Sequence, residues 1–404
     1  MKSFAHLLLA GAALVSTQAH GQGLLAIGQN QDYRQNIPLT FKVTAGGGYD
    51  NFHYKNPSPG QQDVSSFYLQ GGLGLNYAES DRVTKWNVDT SFSALRYLDD
   101  ANLGDKLYYN ARAAFNITSD ISRRLKVTDN FYLAYEIEPD FATGASAGVR
   151  AGQYLYGYNN FAVAYAWTER FASTTGYTID GIHYMDDTLG TSFENRISHI
   201  ISQQFSYKKS RTTTLTAEYR YGITNYQNQP TTAGVANADY RSHYLLAGVD
   251  QAWSNTTTGS LRAGAEFYES DRASKTAPYV EGSVNYALSR QTMVRWYGQA
   301  GFDGSQLGQY DSRYSYRTGI TASNKVSDKL SVNAGVHYVH SSFKGNIIVP
   351  SASENELNLT AGINYSITKN IGVEASYSHT TISSDANFGD YNRNHVSLGL
   401  NATF

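Results

Sequence analysis

The sequence predicts an all-β fold, a single antiparallel up-and-down transmembrane β-barrel of about 18 strands with short periplasmic turns and longer extracellular loops. Three observations predict it. Apolar and polar side chains alternate every second residue from Pro38 to Phe404, the links between these runs are short and long by turns, and no stretch after the leader has the 18 or more consecutive apolar residues of a spanning helix.

The leader comes first. Lys2 precedes the apolar run Leu7 to Val15, and the small and polar residues Ser16, Thr17, Gln18, Ala19, His20 and Gly21 follow, which is the layout of a secretory signal peptide cleaved after Ala19 or Gly21. An apolar run of about nine residues is too short to cross roughly 30 Å of hydrocarbon as a helix. The expected organisation is therefore a cleaved signal peptide (1–21), a short periplasmic N-terminal segment (22–37) and an outer-membrane β-barrel (38–404).

Composition narrows the class. With Gly 36, Tyr 33, Pro 7 and only 16% charged residues, the chain is too rich in tyrosine to be disordered and too poor in long apolar runs to be a helical membrane protein. Cys 0 excludes disulfides and thiolate metal sites, so backbone pairing and packing must hold this exported chain together. A net charge of -2 argues against nucleic acid, whose phosphates demand a basic field.

The alternation is clearest in the final run. Val396, Leu398, Leu400, Ala402 and Phe404 share one face, and His395, Ser397, Gly399, Asn401 and Thr403 share the other. Ile371, Val373, Ala375 and Tyr377 oppose Gly372, Glu374, Ser376 and Ser378; Leu215, Ala217, Tyr219, Tyr221 and Ile223 oppose Thr216, Glu218, Arg220, Gly222 and Thr224. A soluble β-sandwich would show the same period. The links decide between them. Tight ones lie near residues 80–82, 119–122, 169–171, 210–211, 255–257, 289–291, 326–328 and 369–370, and wider polar ones near 55–63, 100–104, 139–151, 186–191, 227–239, 270–276, 305–311, 344–354 and 384–392. Short turns at one rim and long loops at the other belong to a membrane barrel, and a sandwich has no reason to sort its loops this way. Hydrocarbon supplies the physical cause, because every backbone N–H and C=O must be paired inside the protein and a closed ring leaves no edge. Trp86, Trp167, Trp253, Tyr365 and Tyr377 near the run ends suit interfacial girdles.

Charge placement is an independent check. Lys42, Lys85, Asp89, Arg112, Glu136, Asp180, Arg196, Glu218, Arg220, Asp250, Arg262, Glu266, Glu281, Arg295, Arg317 and Glu374 all fall on the polar face and are the candidate pore lining. A charge at the midplane of the lipid face costs roughly 2–4 kcal/mol, so chance would not sort them this way. Asp129 is the exception, landing between Val127 and Phe131 on the apolar face, and it is read as a β-bulge or a shifted register.

The C-terminal segment Ala375-Ser-Tyr-Ser-His-Thr, a polar loop, and then Asp390-Tyr-Asn-Arg-Asn-His-Val-Ser-Leu-Gly-Leu-Asn-Ala-Thr-Phe404 resembles the closing hairpin of the putative beta-barrel porin type 2 outer-membrane proteins, a family that also resembles barrels associated with exopolysaccharide export. The close likeness covers about the last 30 residues, and the general pattern covers nearly all of the mature chain. Val396, Leu398, Leu400, Ala402 and Phe404 resemble the signal read by the outer-membrane barrel-assembly machinery, which the resemblance implies as a partner during insertion. No catalytic residue is implied.

About 18 strands make a ring wide enough for an aqueous channel, so passive passage of small polar solutes is the expected function. A dedicated glycan or exopolysaccharide channel and a structural or adhesive barrel with a plugged lumen are the alternatives. The mixed charges of the polar face either set up a transverse field or pair across neighbouring strands and stiffen the wall; ion selectivity is weak in both cases. Residues 139–151, with Asp140 and Arg150, have the position of a loop that folds into the pore, against the simpler reading of a solvated loop. Tyr154, Tyr156 and Tyr158 share one face and could stack sugar rings, although girdle or rim is the commoner role of a tyrosine-rich strand. The histidines do not cluster, and His183, Asp186 and Asp187 lack a nucleophile elbow, so neither catalysis nor a metal or other cofactor is expected. Gly46-Gly47-Gly48 and Gly71-Gly72 read as barrel bends. The partners expected are outer-membrane lipid and small polar solutes or glycans, with homo-oligomers left open.

Overall fold

In the computed structural model the residues described are 39–54, 64–98, 107–137, 153–185, 195–227, 239–271, 273–303, 310, 312–345, 350–385 and 390–404. They form β1 (Leu39–Tyr54), β2 (Val64–Ser80), β3 (Thr84–Tyr97), β4 (Leu107–Ser119), β5 (Leu125–Ile137), β6 (Gln153–Ala166), β7 (Phe171–Tyr184), β8 (Arg196–Lys208), β9 (Thr213–Tyr226), β10 (Tyr240–Ala252), β11 (Thr257–Ser270), β12 (Ser274–Ala287), β13 (Thr292–Asp303), β14 (Ser312–Lys325), β15 (Leu330–Lys344), β16 (Ala352–Ser366), β17 (Ile371–Ser384) and β18 (Tyr391–Thr403). Each strand pairs antiparallel with its sequence neighbours, and β18 pairs with β1, so the ring is closed. The closure is tied at its inner end by reciprocal bonds, Phe41 N–H to Phe404 O at 3.0 Å and Phe404 N–H to Phe41 O at 2.8 Å. Eighteen strands about 4.8 Å apart and tilted near 40° give a backbone diameter of roughly 35 Å.

The tight turns share one piece of chemistry. Asp81, Ser122, Thr168, Ser210, Ser254, Ser289, Ser327 and Thr368 each accept, through the side-chain oxygen, a backbone N–H two residues ahead, and most accept a second three ahead. These short polar side chains supply the acceptor that a two-strand reversal leaves missing. The wider link expected over 270–276 is shorter than anticipated. β12 already begins at Ser274, and the same device closes the link, with Ala273 N–H donating to Ser270 Oγ at 3.1 Å.

The two faces separate as the alternation requires. Leu39, Phe41, Val43, Phe67, Leu69, Leu73, Leu261, Ile320, Val336, Leu398 and Leu400 stand exposed on the outside, and their strand neighbours point inward. At the turn rim the outer surface carries an aromatic belt. Tyr77 lies against Trp86 with ring centroids 4.9 Å apart, Tyr165 against Trp167 at 4.8 Å, and Phe171 against Phe205 at 6.0 Å. Further toward the loop rim, outward tyrosines bond outward histidines, Tyr177 to His199 and Tyr219 to His243, both at 2.8 Å. These rings suit the wet boundary of a membrane, having an apolar body and a polar tip.

Three local features stand out. The ladder runs unbroken through Asp129, which opposes Ile117 and Phe161, so there is no bulge and no slip. Its carboxylate faces outward and accepts from Asn159 Nδ2 at 2.7 Å; a second polar side chain on the same face is what makes the position tolerable. Gly46 to Gly48 likewise pair without a break. They permit close approach: a Cβ at Gly48 would lie 2.0 Å from Val396 O and 2.5 Å from the Tyr68 hydroxyl. Finally, the β12–β13 ladder stops at Val280 and Ala300, short of the strand ends. Pro278 has no N–H to offer there. Side chains take over instead: Glu266 Oε2 accepts from Phe302 N–H at 2.8 Å, the Tyr314 hydroxyl donates to Pro278 O at 2.6 Å, and Lys275 Nζ donates to Ser312 Oγ at 2.5 Å.

Candidate functional site

Within the described strands, the inner wall is the face that the fold lines with polar and charged groups. The register turns all sixteen charged residues expected at a pore lining toward the interior. Many of them meet. Arg112 on β4 pairs with Glu136 on β5, and Lys42 on β1 reaches Glu374 on β17 at 3.2 Å across the closure. Arg262 on β11 holds Asp250 on β10 at 2.7 Å. Arg220 on β9 sits between two carboxylates, with Nε to Glu218 at 2.7 Å and one terminal nitrogen to Glu281 at 2.6 Å, while the Tyr279 hydroxyl donates to Glu281 at 2.7 Å. Glu266 also accepts from Ser242 Oγ at 3.0 Å. Arg112–Glu136 and Arg262–Asp250 join neighbouring strands, whereas Lys42–Glu374 skips β18 and Arg220 reaches from β9 to Glu281 on β12, so the wall is laced by ion pairs of differing span.

Asp89 accepts from Asn76 Nδ2 at 3.3 Å, whereas among the described residues neither Lys85 nor Arg295 has a carboxylate in ion-pair contact. Asp180 and Arg196 face inward on β7 and β8, and Arg317 faces inward on β14, on the same face as Arg313 four residues before it. Glu354, Arg313 and Arg317 act electrostatically on Glu356 of β16.

Tyr154, Tyr156 and Tyr158 point inward on β6, but only 0%, 3% and 4% of each is exposed. They pack with Tyr132, Ala134 and Ile182 in one cluster along the wall, so in this arrangement their ring faces are covered. Val396, Leu398, Leu400 and Phe404 are exposed on the outer surface of β18. Among the described residues no group of three acidic or histidine side chains could hold a metal ion. The loop 139–151, Asp186 and Asp187 lie outside the described residues.

A second cluster was not anticipated. Asp50 on β1 is almost fully buried and accepts two bonds from Arg393 of β18, at 3.0 and 2.7 Å, and one from the Tyr97 hydroxyl of β3 at 3.0 Å. The Tyr68 ring stacks on His395 at 5.2 Å and its hydroxyl meets Nε2 at 2.9 Å. Together these groups tie four successive strands across the closure. The signal was present, because the alternation extended past Gly48 puts Asp50 inward, and extended back from His395 it puts Arg393 beside it.

The family model described as Putative beta-barrel porin 2 matches residues 85–404. No curated protein matches the chain. Among solved structures, OccAB4 of Acinetobacter baumannii is 11% identical with a TM-score of 0.44, covering 92% of this chain and 99% of its own. The outer membrane protein OpdK of Pseudomonas aeruginosa is 12% identical with a TM-score of 0.45, covering 91% of this chain and 99% of its own. A BenF-like porin of Pseudomonas fluorescens Pf-5 is 10% identical with a TM-score of 0.46, covering 91% and 99% respectively.

Proposed function

The chain belongs to the Putative beta-barrel porin 2 family of outer-membrane barrels, and from that premise we propose that it forms an aqueous passage through which small polar solutes cross the outer membrane passively. The observation that carries the reading is the inner wall. A ring of roughly 35 Å whose outside is apolar and whose inside bears sixteen ionisable side chains at the expected positions has its wet surface within, where only water or solute can meet it. The pore-lining role of those residues is part of this proposal. Because three of the six lining arginines, Arg112, Arg220 and Arg262, stand beside carboxylates, much of the wall presents local dipoles rather than a field of one sign, which favours polar solutes broadly over one ion.

Planar-bilayer conductance of the refolded mature chain tests the proposal. Discrete, ohmic openings in potassium chloride are expected. A correctly folded barrel that inserts and stays silent would remove the passage and leave the plugged-barrel alternative.

A further inference from the structure

Charge is distributed unevenly along the axis of the barrel, and the imbalance lies at the turn rim. Across turn residues 81–83, 120–124, 167–170, 209–212, 253–256, 288–291, 326–329 and 367–370 there are nine Lys and Arg against four Asp and Glu. Two of the four acids are already engaged: Asp81 caps backbone N–H groups of its own turn, and Asp328 pairs with Lys325 at 3.1 Å. Basic residues also continue inward from this rim. Lys85, which is exposed, and Lys126, which is buried in the wall and adds only its charge to the mouth, face the interior one residue in from the inner ends of β3 and β5, and the half-buried Arg295 does so a few residues in from the end of β13. On a ring of eighteen, β13 lies nine strands from β4, so these cations stand on opposite walls of the same mouth. Among the described residues none of the three has an ion pair, although Asp120 in the adjoining turn acts on Lys126 at longer range. Further out the balance changes, and arginines such as Arg112, Arg220, Arg262 and Arg393 each hold a carboxylate.

We infer that the periplasmic mouth is a binding vestibule for an anionic solute, one bearing carboxylate or phosphate groups, that arrives from the periplasmic side. The inference rests on the reading of the barrel as a water-filled pore. A cleft with low-dielectric walls focuses the field of its charges and raises the local concentration of counter-charged molecules, and a mouth lined on both walls does so across its whole section at distances comparable with the Debye length. The occupant is a solute rather than a docked protein because the positive field does not end at the turns. It runs into the lumen, to Lys85 and Arg295, where only a molecule entering the pore can meet it.

The test uses inositol hexakisphosphate as the probe polyanion, added to one side at a time of a bilayer holding oriented channels. Block of the potassium chloride current from the periplasmic side is expected at a concentration at least tenfold lower than from the outer side. In the triple variant Lys85→Gln, Lys126→Gln, Arg295→Gln that ratio falls toward one. Equal block from both sides of the wild type, or a ratio unchanged in the triple variant, overturns the inference. Calorimetric titration of the same probe into the detergent-folded barrel needs no current. Salt-sensitive binding lost in the triple variant supports the vestibule even in a silent barrel, and absence of binding by the wild type overturns it; a silent barrel that binds the probe refutes the passage alone.

Discussion

Arg220 offers the sharpest test of how the wall is held. Its side chain is only 3% exposed, and its guanidinium makes four contacts of 2.6 to 3.1 Å with the carboxylates of Glu218 and Glu281, which are themselves 0% and 14% exposed. Replacing it by glutamine leaves two buried carboxylates with one cation fewer between them. Breaking a buried pair by removing one partner costs about 3–5 kcal/mol, and the lower end applies here because Glu281 retains contact with the lumen. Arg220→Gln should therefore lose about 3 kcal/mol of unfolding free energy, read from urea titrations of tryptophan fluorescence in lipid vesicles. In Arg220→Gln with Glu281→Gln the stranded charge is removed as well, so a coupling of about 1–3 kcal/mol should appear in the double-mutant cycle. A loss under about 1 kcal/mol for the single variant, with no coupling in the cycle, would show that lumenal water solvates these groups and that the ion-pair lacing does not stabilise the wall.

Other consequences can be measured separately. Asp129→Asn keeps the bond from Asn159 and removes a charge from the lipid face, so the same titration should show a gain of about 1 kcal/mol; a loss would mean that the carboxylate has a role beyond that bond. Gly48→Val forces a side chain against Val396 O and the Tyr68 hydroxyl, and should cost about 2–3 kcal/mol, with protease sensitivity appearing at the β1–β18 closure; a neutral effect would refute the close-packing account of these glycines. Hydrogen bonds from the backbone N–H groups of Thr84 and Val83 hold the Asp81 carboxyl below the usual carboxylate range. A depressed value stabilises the turn above the unfolded value near 3.8 and gives that stability up as pH falls through the lower folded value, so the protection of the Thr84 amide relative to its intrinsic exchange rate should fall only in strong acid, and in Asp81→Ala should be low across the pH range.

The architecture was legible because a membrane barrel obeys one rule from end to end. The period of two in segments such as Val396 to Phe404 identifies the lipid face, and the sorting of tight and wide links fixes both the ring and its orientation. Asp129 was misread for the same reason. The rule allows a bulge or an error but says nothing of a partner such as Asn159 on the next strand, which only the register reveals. The charged lining could be assigned to a face residue by residue, whereas who pairs with whom depends on stagger between strands far apart in sequence, as with Lys42 and Glu374. Asp50 and Arg393 escaped notice because they lie where a run gives way to a loop and the apolar half of the pattern fades. The wide link expected near 270–276 erred the other way, since a polar stretch reads as loop whether or not its backbone is still paired to β11.

The unfinished boundary between β12 and β13 has a mechanical meaning. Beyond Val280 and Ala300 the backbone rungs give way to side-chain bonds, among them those of a carboxylate, Glu266, and an ammonium, Lys275. Stiffness around the circumference is therefore not uniform: along this line, beside a proline that brings no backbone donor, side chains rather than paired strands transmit the load.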